Sequence, residues 1–291
     1  MRKILHFIIL LWCHPLFIII PDKIWLKVYY FLSTGKRLHI DNPRSYNEKI
    51  QWLKLYDRRP IYTVFADKIA VRDYVKDVIG EKYLIPLLGI YNSFKSINFS
   101  ALPEDFVLKT NHDSGTVFMI HRDDCTIKKI EKKIVAAMHK NYYRYGREWA
   151  YKDIKPMLLV EEQLAAANLL DYKFFCFNGK VHYIQVDVDR QIKHRRNIYD
   201  REWNLLPVTI KYKDAWDVQL PPPDNFTEMI TIAEKLSAGY PHLRVDLYNI
   251  CGEIFFGELT LYHGSGTEKF TPEVFGLEMG MKFILPTEKS S

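Results

Sequence analysis

Residues 243–266 read LRVDLYNICGEIFFGELTLYHGSG, and the rest of the chain is best understood from this stretch. Val245, Leu247, Ile254 and Phe256 are strand formers, and Asn249 to Gly252 interrupts them, so the pattern predicts two strands joined by a tight turn. Three polar residues stand where a purely structural hairpin would stay apolar: Asp246, Glu258 and Thr260. Side chains alternate along a strand, which puts Glu258 and Thr260 on one face. A three-residue loop, Ile250-Cys251-Gly252, sets Asp246 opposite Phe256 and on the face of Glu258, with Gly252 in the left-handed bulge position. Two carboxylates and a hydroxyl placed there make a hard-oxygen site for Mg2+, with phosphate oxygens completing the shell. Arg244 lies on the same face, and the flexible His263-Gly264-Ser265-Gly266 follows directly. The plain alternative is a hairpin whose acidic side chains face water.

Outward from the hairpin, several stretches carry chemistry. Phe106 to Lys109 reads as a short strand ending in a lysine, followed by the donor-rich loop Thr110 to Thr116 with Ser114 and Gly115. Such a loop clamps phosphate oxygens with its N–H groups while the ammonium neutralises charge. The spacing is not that of a P-loop. Met157 to Leu164 is an apolar strand running into Glu161 and Glu162. Asp171 opens two aromatic strands joined at Asn178-Gly179, a strong hairpin signal, and the second strand ends in Asp187 and Asp189. A basic cluster, Lys193 to Arg196 with His194, comes next and suits a triphosphate or a carboxylated acceptor. Nearer the N-terminus, Ser45 and Glu48 form a capping box ahead of a helix with Ile50, Leu53 and Leu55 on its apolar side. A single helix is expected from about Thr63 to Gly80, carrying Lys68, and then a buried strand over LIPLLGIY. Thr126 to Tyr145 reads as a basic, solvated helix and Met229 to Ala238 as an amphipathic one, and the tail beyond Gly266 reads as loop.

Arg-Val-Asp at 244–246, a short gap, then Glu258-Leu259-Thr260 and a glycine-bearing loop resemble the magnesium-binding core of the ATP-grasp superfamily. Thr260 stands where that pattern usually has Asn, and no proline precedes Gly264. NPRSYNEKIQWLKLYDRRP at 42–60 is similar to the N-terminal signature of the TupA-like (teichuronopeptide biosynthesis) ATP-grasp family, and the likeness runs from about Leu38 to Pro286. The resemblance implies an α+β ATP-grasp fold with two subdomains clamping a nucleotide. It assigns Lys68, Lys109, Ser114 and Gly115 to the phosphates of ATP, Glu161, Glu162 and Leu164 to the adenine hinge, and Asp171 to the ribose. Further implied contacts to the nucleotide come from His194 and Arg196. Asp246, Glu258 and Thr260 are then the Mg2+ ligands, and Arg244 and Lys109 the catalytic residues. The implied chemistry is carboxylate–amine ligation through an acyl-phosphate. Its setting is cell-surface polysaccharide (capsule, O-antigen or teichuronopeptide) biosynthesis, with a carboxylated sugar or polysaccharide precursor and an amine or amino-acid nucleophile. A glycosyltransferase that uses Asp187 and Asp189 for a nucleotide sugar is the competing reading, and a non-catalytic membrane-associated assembly protein is a third.

Composition sets the frame for these readings. The chain has 291 residues, with 48% hydrophobic and 26% charged, an ordinary folded composition. A net charge of +6 suits phosphates or an anionic membrane surface, and no nucleic-acid-binding pattern is present. Four cysteines lie far apart with no Cys-x-x-Cys pair, as expected of free thiols in a reducing compartment. Met1-Arg2-Lys3 precedes an apolar run from Ile4 to Ile20, broken by His6, His14 and Pro15. It is shorter than the ~20 apolar residues that span a bilayer, and no small-x-small cleavage site follows. The expectation is an uncleaved segment at the inner membrane surface of a cytoplasmic protein, weighed against a helix packed on the domain. The expected divisions are 1–35 for this segment, 36–100 for a helical region, 101–160 for the first ATP-grasp subdomain and 161–291 for the second.

Overall fold

The computed structural model describes residues 19–122, 124–164, 169–188 and 194–288. Most of the apolar run, together with Asp189 and Lys193, therefore lies outside the described residues. Among the described residues four helices come first: α1 (Asp22–Thr34), α2 (Tyr46–Tyr56), α3 (Ile61–Ala66) and α4 (Val71–Ile79). The one helix expected from Thr63 to Gly80 is thus two. Asp67 stops the first in an extended conformation and its carboxylate accepts from the Ile69 N–H (2.8 Å), so Lys68 sits at a break and not on a helix face.

A four-stranded antiparallel sheet comes next, made of β1 (Leu87–Tyr91), β2 (Asp105–Thr110), β3 (Val117–His121) and β4 (Leu158–Glu162) in the order β1-β4-β2-β3. Between β3 and β4 run α5 (Asp124–Met138) and the short α6 (Tyr143–Gly146). The sheet begins at Leu87, before the division expected at residue 101. Its first strand is an exposed edge, with Leu87 and Ile90 37% and 40% accessible, where a buried strand was expected. Phe106, Leu108, Ile120, Leu158 and Val160 on one face join Ile130 and Ile134 of α5 in a small core of their own.

The larger sheet holds β5 (Asp171–Phe177), β6 (Lys180–Val188), β7 (Arg195–Asp200) and, after the short β8 (Thr209–Ile210), β9 (Lys213–Asp214). Beyond α7 (Phe226–Ser237) it is completed by β10 (His242–Ile250) and β11 (Glu253–Thr260), in the order β11-β10-β5-β6-β7-β9. The two-residue β12 (Phe270–Thr271) pairs with β8, and α8 (Val274–Lys282) closes the chain where a loop-like tail was expected. Leu243, Val245 and Leu247 alternate with Arg244 and Asp246, so β10 shows one apolar and one polar face. The apolar face, continued by Phe174, Cys176, Ile184 and Val186, packs under Met229, Ile232, Ala233 and Leu236 of α7.

Helix α2 holds the loop that follows β11. Ser45 accepts from the Glu48 N–H (3.3 Å) and Glu48 accepts from the Ser45 N–H (3.0 Å), the expected capping box. Asn47, Gln51 and Lys54 share one buried stripe at helical spacing. They donate to the carbonyls of Glu268 (2.8 Å), Ser265 and Gly266 (2.8 and 3.0 Å), and Gly146 and Ser265 (both 2.9 Å). Burial draws the Lys54 ammonium down to about 8 against the opposing pull of Glu148. Tyr46 reaches across the core to His242, which stacks near Phe175 and Phe177. His242 Nδ1 meets the Cys176 carbonyl (3.0 Å), so that nitrogen carries the hydrogen and Nε2 accepts from the Tyr46 hydroxyl (2.9 Å).

Burial holds His242 neutral, lowering its pKa to about 3. A histidine depressed in the folded state contributes stability that is present above its unfolded pKa of about 6.5 and lost as pH falls towards the folded value. Acidification from pH 7 to pH 5 should remove about 2 kcal/mol through this residue alone. Urea denaturation at both pH values checks it, with His242→Gln expected to flatten the difference.

Candidate active site

The polar face of the large sheet begins at the β10–β11 hairpin. Its turn is two residues, Cys251 and Gly252, both at positive φ (51° and 87°), and not the expected three-residue loop. A two-residue turn alone would set Asp246 opposite Gly257. A bulge between Asp246 and Leu247 shifts the register so that Asp246 faces Glu258 and Arg244 faces Thr260. Glycine suits the bulge, because a Cβ on Gly257 would lie 3.0 Å from the Asp246 carbonyl oxygen.

Arg244 occupies the space between the two carboxylates. Its Nε and Nη2 meet the two Asp246 oxygens at 2.7 Å each, and Nη2 also meets Glu258 Oε1 at 2.7 Å. Thr260 donates to the same Glu258 oxygen (3.0 Å). From β5, Lys173 bridges Asp246 (2.8 Å) and Asp171. Burial opposes the charge on Asp246, yet Arg244 and Lys173 outweigh it and hold the carboxyl below its ordinary pKa. Burial likewise opposes the Lys173 ammonium, and Asp171 and Asp246 raise it in spite of that. The Arg244 Nη1 donates to His263 Nδ1 (2.5 Å), leaving His263 Nε2–H facing Glu268 at 3.0 Å.

Four strand spacings of about 4.8 Å, roughly 19 Å, separate β11 from β7, where a second ionic group lies on the same face. Asp187 accepts from Arg196 (2.8 Å) and Gln185 (3.1 Å) and lies 3.1 Å from His194, which stacks on Tyr212. Burial disfavours its charge, but Arg196 and Lys173 keep its pKa well below the carboxylate range. Glu268 links the two groups, contacting Arg196 (3.6 Å), Lys211 (3.0 Å) and His263.

Across a cleft from the hairpin stand the lysines expected on the nucleotide. Lys68 donates to the Asp113 carbonyl, and Lys109 pairs with Glu161, which also accepts from Arg72 (2.9 Å). Burial lowers the Lys68 pKa, against the pull of Glu258 and Asp113. These side chains and Glu258 line a narrow cavity of about 20 Å³, the scale of a single water and far below that of a nucleotide. The fold thus gathers Lys68, Lys109, Glu161 and Glu258, and it gathers Arg244, Asp246 and Thr260 with Asp171. It places His194 and Arg196 around Asp187 in the second group, joined to the first through Glu268. Ser114 and Gly115 are exposed in the β2–β3 loop, Glu162 is exposed at the end of β4, and neither they nor Leu164 line the cavity.

Lys173, Arg72 and Glu268 escaped the sequence reading, and His263 entered it only as part of the loop after the hairpin. The first had a signal: Asp171 and Lys173, two apart on a strand of aromatic residues, share a face. Among the described residues no three His, Cys, Asp or Glu side chains gather as a metal cage. The facing Asp246 and Glu258 nevertheless supply hard oxygen donors of the type Mg2+ takes, and the Glu258 side chain is 41% exposed to the cleft side. Thr260 is engaged by Glu258, and so serves that carboxylate in this arrangement.

Two α+β units facing each other across a cleft of lysines and carboxylates make this an ATP-grasp fold. The chain belongs to the TupA-like ATP-grasp family, whose model, described as TupA-like ATPgrasp, matches residues 48–284. Similar solved structures include D-alanine–D-alanine ligase from Bacillus anthracis (16% identity, TM-score 0.44, covering 76% of this chain and 67% of that one). A second is the ATP-grasp ligase PsnB complexed with a phosphomimetic variant of its minimal precursor, Mg and ADP (10%, 0.42, 78% and 61%). A third is a RimK domain ATP-grasp protein from Sphaerobacter thermophilus (13%, 0.44, 78% and 70%). This chain therefore spans roughly two thirds of their lengths. No curated protein matches it.

Removing one partner from a buried ionic group leaves the others uncompensated, at a cost of about 3–5 kcal/mol. Lys173→Met strands Asp171 and Asp246 in this way and should lower the denaturation midpoint accordingly. The double variant Lys173→Met/Asp171→Leu should recover part of the loss.

Proposed function

We propose that the protein is an ATP- and Mg2+-dependent ligase joining a carboxylate to an amine, and that it acts in the synthesis of a cell-surface polysaccharide. One observation carries the reading: Asp246 and Glu258 lie opposed with Arg244 between them, and Lys68 and Lys109 line the same cleft as Glu258. A carboxylate attacking the γ-phosphorus of ATP forms an acyl-phosphate and releases ADP, and an amine then displaces phosphate to leave an amide. Mg2+, held by Asp246 and Glu258, would neutralise phosphate charge there. Lys109 and Lys68 place positive charge on the phosphate oxygens, and Arg244 holds the transferred group at the other wall. The cavity must widen to admit a nucleotide, so Lys109 exchanges Glu161 for phosphate as the two sheets part. The carboxylated partner is a sugar or polysaccharide precursor, the amine an amino acid or amino sugar. Work at the cytoplasmic membrane surface fits such a precursor.

The glycosyltransferase alternative uses Asp187 together with Asp189, which lies outside the described residues. Arg196, His194 and Gln185 surround the Asp187 carboxylate as Arg244 and Lys173 surround Asp246, so ligand binding separates the two readings. Lys109→Met keeps most of the apolar stem and removes a charge-assisted contact of about 1.5–3 kcal/mol, which weakens ATP binding roughly ten- to a hundredfold. Glu258→Gln, at a half-exposed position, should preserve folding and ATP affinity without Mg2+ while losing Mg2+-dependent turnover. Calorimetric titration with ATP and with UDP-sugars decides between the readings. The ligase reading falls if Lys109→Met binds ATP as the parent does while Asp187→Asn abolishes UDP-sugar binding.

A further inference from the structure

Two helices that contribute nothing to the cleft lining each carry an apolar stripe that nothing in the described chain covers. On α1 the inner face buries Trp25, Leu26 and Tyr30, while Ile24 and Phe31 are both 56% exposed, with exposed Lys27 on the same outer stripe. On α8 the inner face buries Phe275 and Met279. Its outer residues Val274, Leu277 and Met281, spaced i, i+3 and i+7, are 51%, 43% and 74% exposed, and Ile284 just beyond is 68% exposed. Helix α8 therefore carries an apolar stripe on its outer side as well as its packed one, flanked by the exposed Glu278 and Lys282, where an ordinary surface helix is polar on its outer face. An ion pair between Lys36 and Glu273 ties the end of α1 to the start of α8.

Charge and shape add a second line. Lys23, Lys27, Lys36, Arg37 and Lys282 are exposed around these stripes, against the acids Asp41, Glu273, Glu278 and Glu288. Lys23 pairs with Asp41 (3.0 Å) and Lys36 with Glu273, which leaves Lys27, Arg37 and Lys282 as the unmatched cations among these described residues, against Glu278 and Glu288. Lys27, Arg37 and His39 also border an open concavity of about 540 Å³, lined further by Phe31, Leu38, Ile40, Asn42 and Asp41, the last paired with Lys23, and large enough for a phosphate-bearing headgroup. The apolar run from Ile4 to Ile20 leads in sequence straight into α1. Among the described residues no helix is long and apolar enough to cross a membrane.

We infer that the outer faces of α1 and α8, with the Lys27–Arg37 concavity, form a docking surface for an anionic phospholipid bilayer. Apolar side chains enter the headgroup boundary while the surrounding cations meet lipid phosphates, the arrangement of a helix lying in the interface plane. The inference stands apart from the ligase chemistry proposed above, since none of these residues lines the cleft.

Flotation of the full chain with phosphatidylcholine vesicles, with and without phosphatidylglycerol, tests it. The parent should float with the anionic vesicles and stay behind with the neutral ones. Reversing two surface cations in Lys27→Glu/Arg37→Glu should weaken partitioning roughly tenfold or more, because each cation near an anionic surface contributes about a fivefold effect. Leu277→Glu/Met281→Glu should weaken it to a similar extent through lost apolar insertion. Both pairs alter exposed positions, so unchanged melting temperature and ATP affinity confirm that fold and cleft are intact. The inference is overturned if the parent ignores phosphatidylglycerol, or if both variants partition as the parent does. It is equally overturned if light scattering finds a parent dimer that Leu277→Glu/Met281→Glu separates without changing vesicle partitioning, for then a second copy covers α8.

Discussion

A single guanidinium lets two carboxylates face each other on neighbouring strands. Without Arg244, Asp246 and Glu258 would be like charges directly opposed, an arrangement that destabilises a sheet. With it, charges alternate in sign from Glu258 through Arg244, Asp246 and Lys173 to Asp171. Such a buried array is a poor way to gain stability, because desolvating each ion costs several kcal/mol that its partners barely repay. Its value lies in geometry: Glu258, Arg244, Asp246 and Lys173 are each held by two or more neighbours, so their rotamers are fixed before any ligand arrives.

The two walls of the cleft are prepared differently. The hairpin wall is rigid, since β10 is paired on both sides and backed by α7. The opposite wall belongs to a small sheet with its own core, and its lysines are occupied by Glu161 and a loop carbonyl. A core separate from the main one allows the small sheet to move as a body. Charge pairs that close the empty cleft are then exchanged for pairs with phosphate, and neither wall need expose an unpaired ion.

How much of this could be read from the sequence differs from residue to residue. Period-two alternation and turn residues located the hairpin, and parity placed Asp246 with Glu258. The loop length behind that parity was wrong, because a bulge at Gly257 compensated for a shorter turn. Bulges leave little trace in a single sequence beyond one glycine. Lys68 was placed on a helix because the apolar periodicity runs through it, while the break comes from the Asp67 side chain bonding backbone donors. The role of Lys173 was hidden for another reason: its second partner, Asp246, lies 73 residues away and only strand pairing brings it near. The tail beyond Gly266 looked like loop because two glycines dilute the helical pattern, yet Gly280 is what lets α8 approach the backbone of Arg44, where a Cβ would lie 2.1 Å from a carbonyl oxygen.

The stripe on α2 that holds the loop beyond β11 also bears on how the molecule comes into being. Asn47, Gln51 and Lys54 find their acceptors between 211 and 221 residues later for the Ser265, Gly266 and Glu268 bonds. A chain emerging from the ribosome in order exposes those three donors long before their carbonyls exist. Contacts of such separation also slow folding, because a long loop must close before they form. The polar face is therefore one of the last parts to be assembled, and a nascent chain carries the bare face of α2 through most of its synthesis. Any factor that shelters this protein during translation has that amphipathic helix as its natural handle.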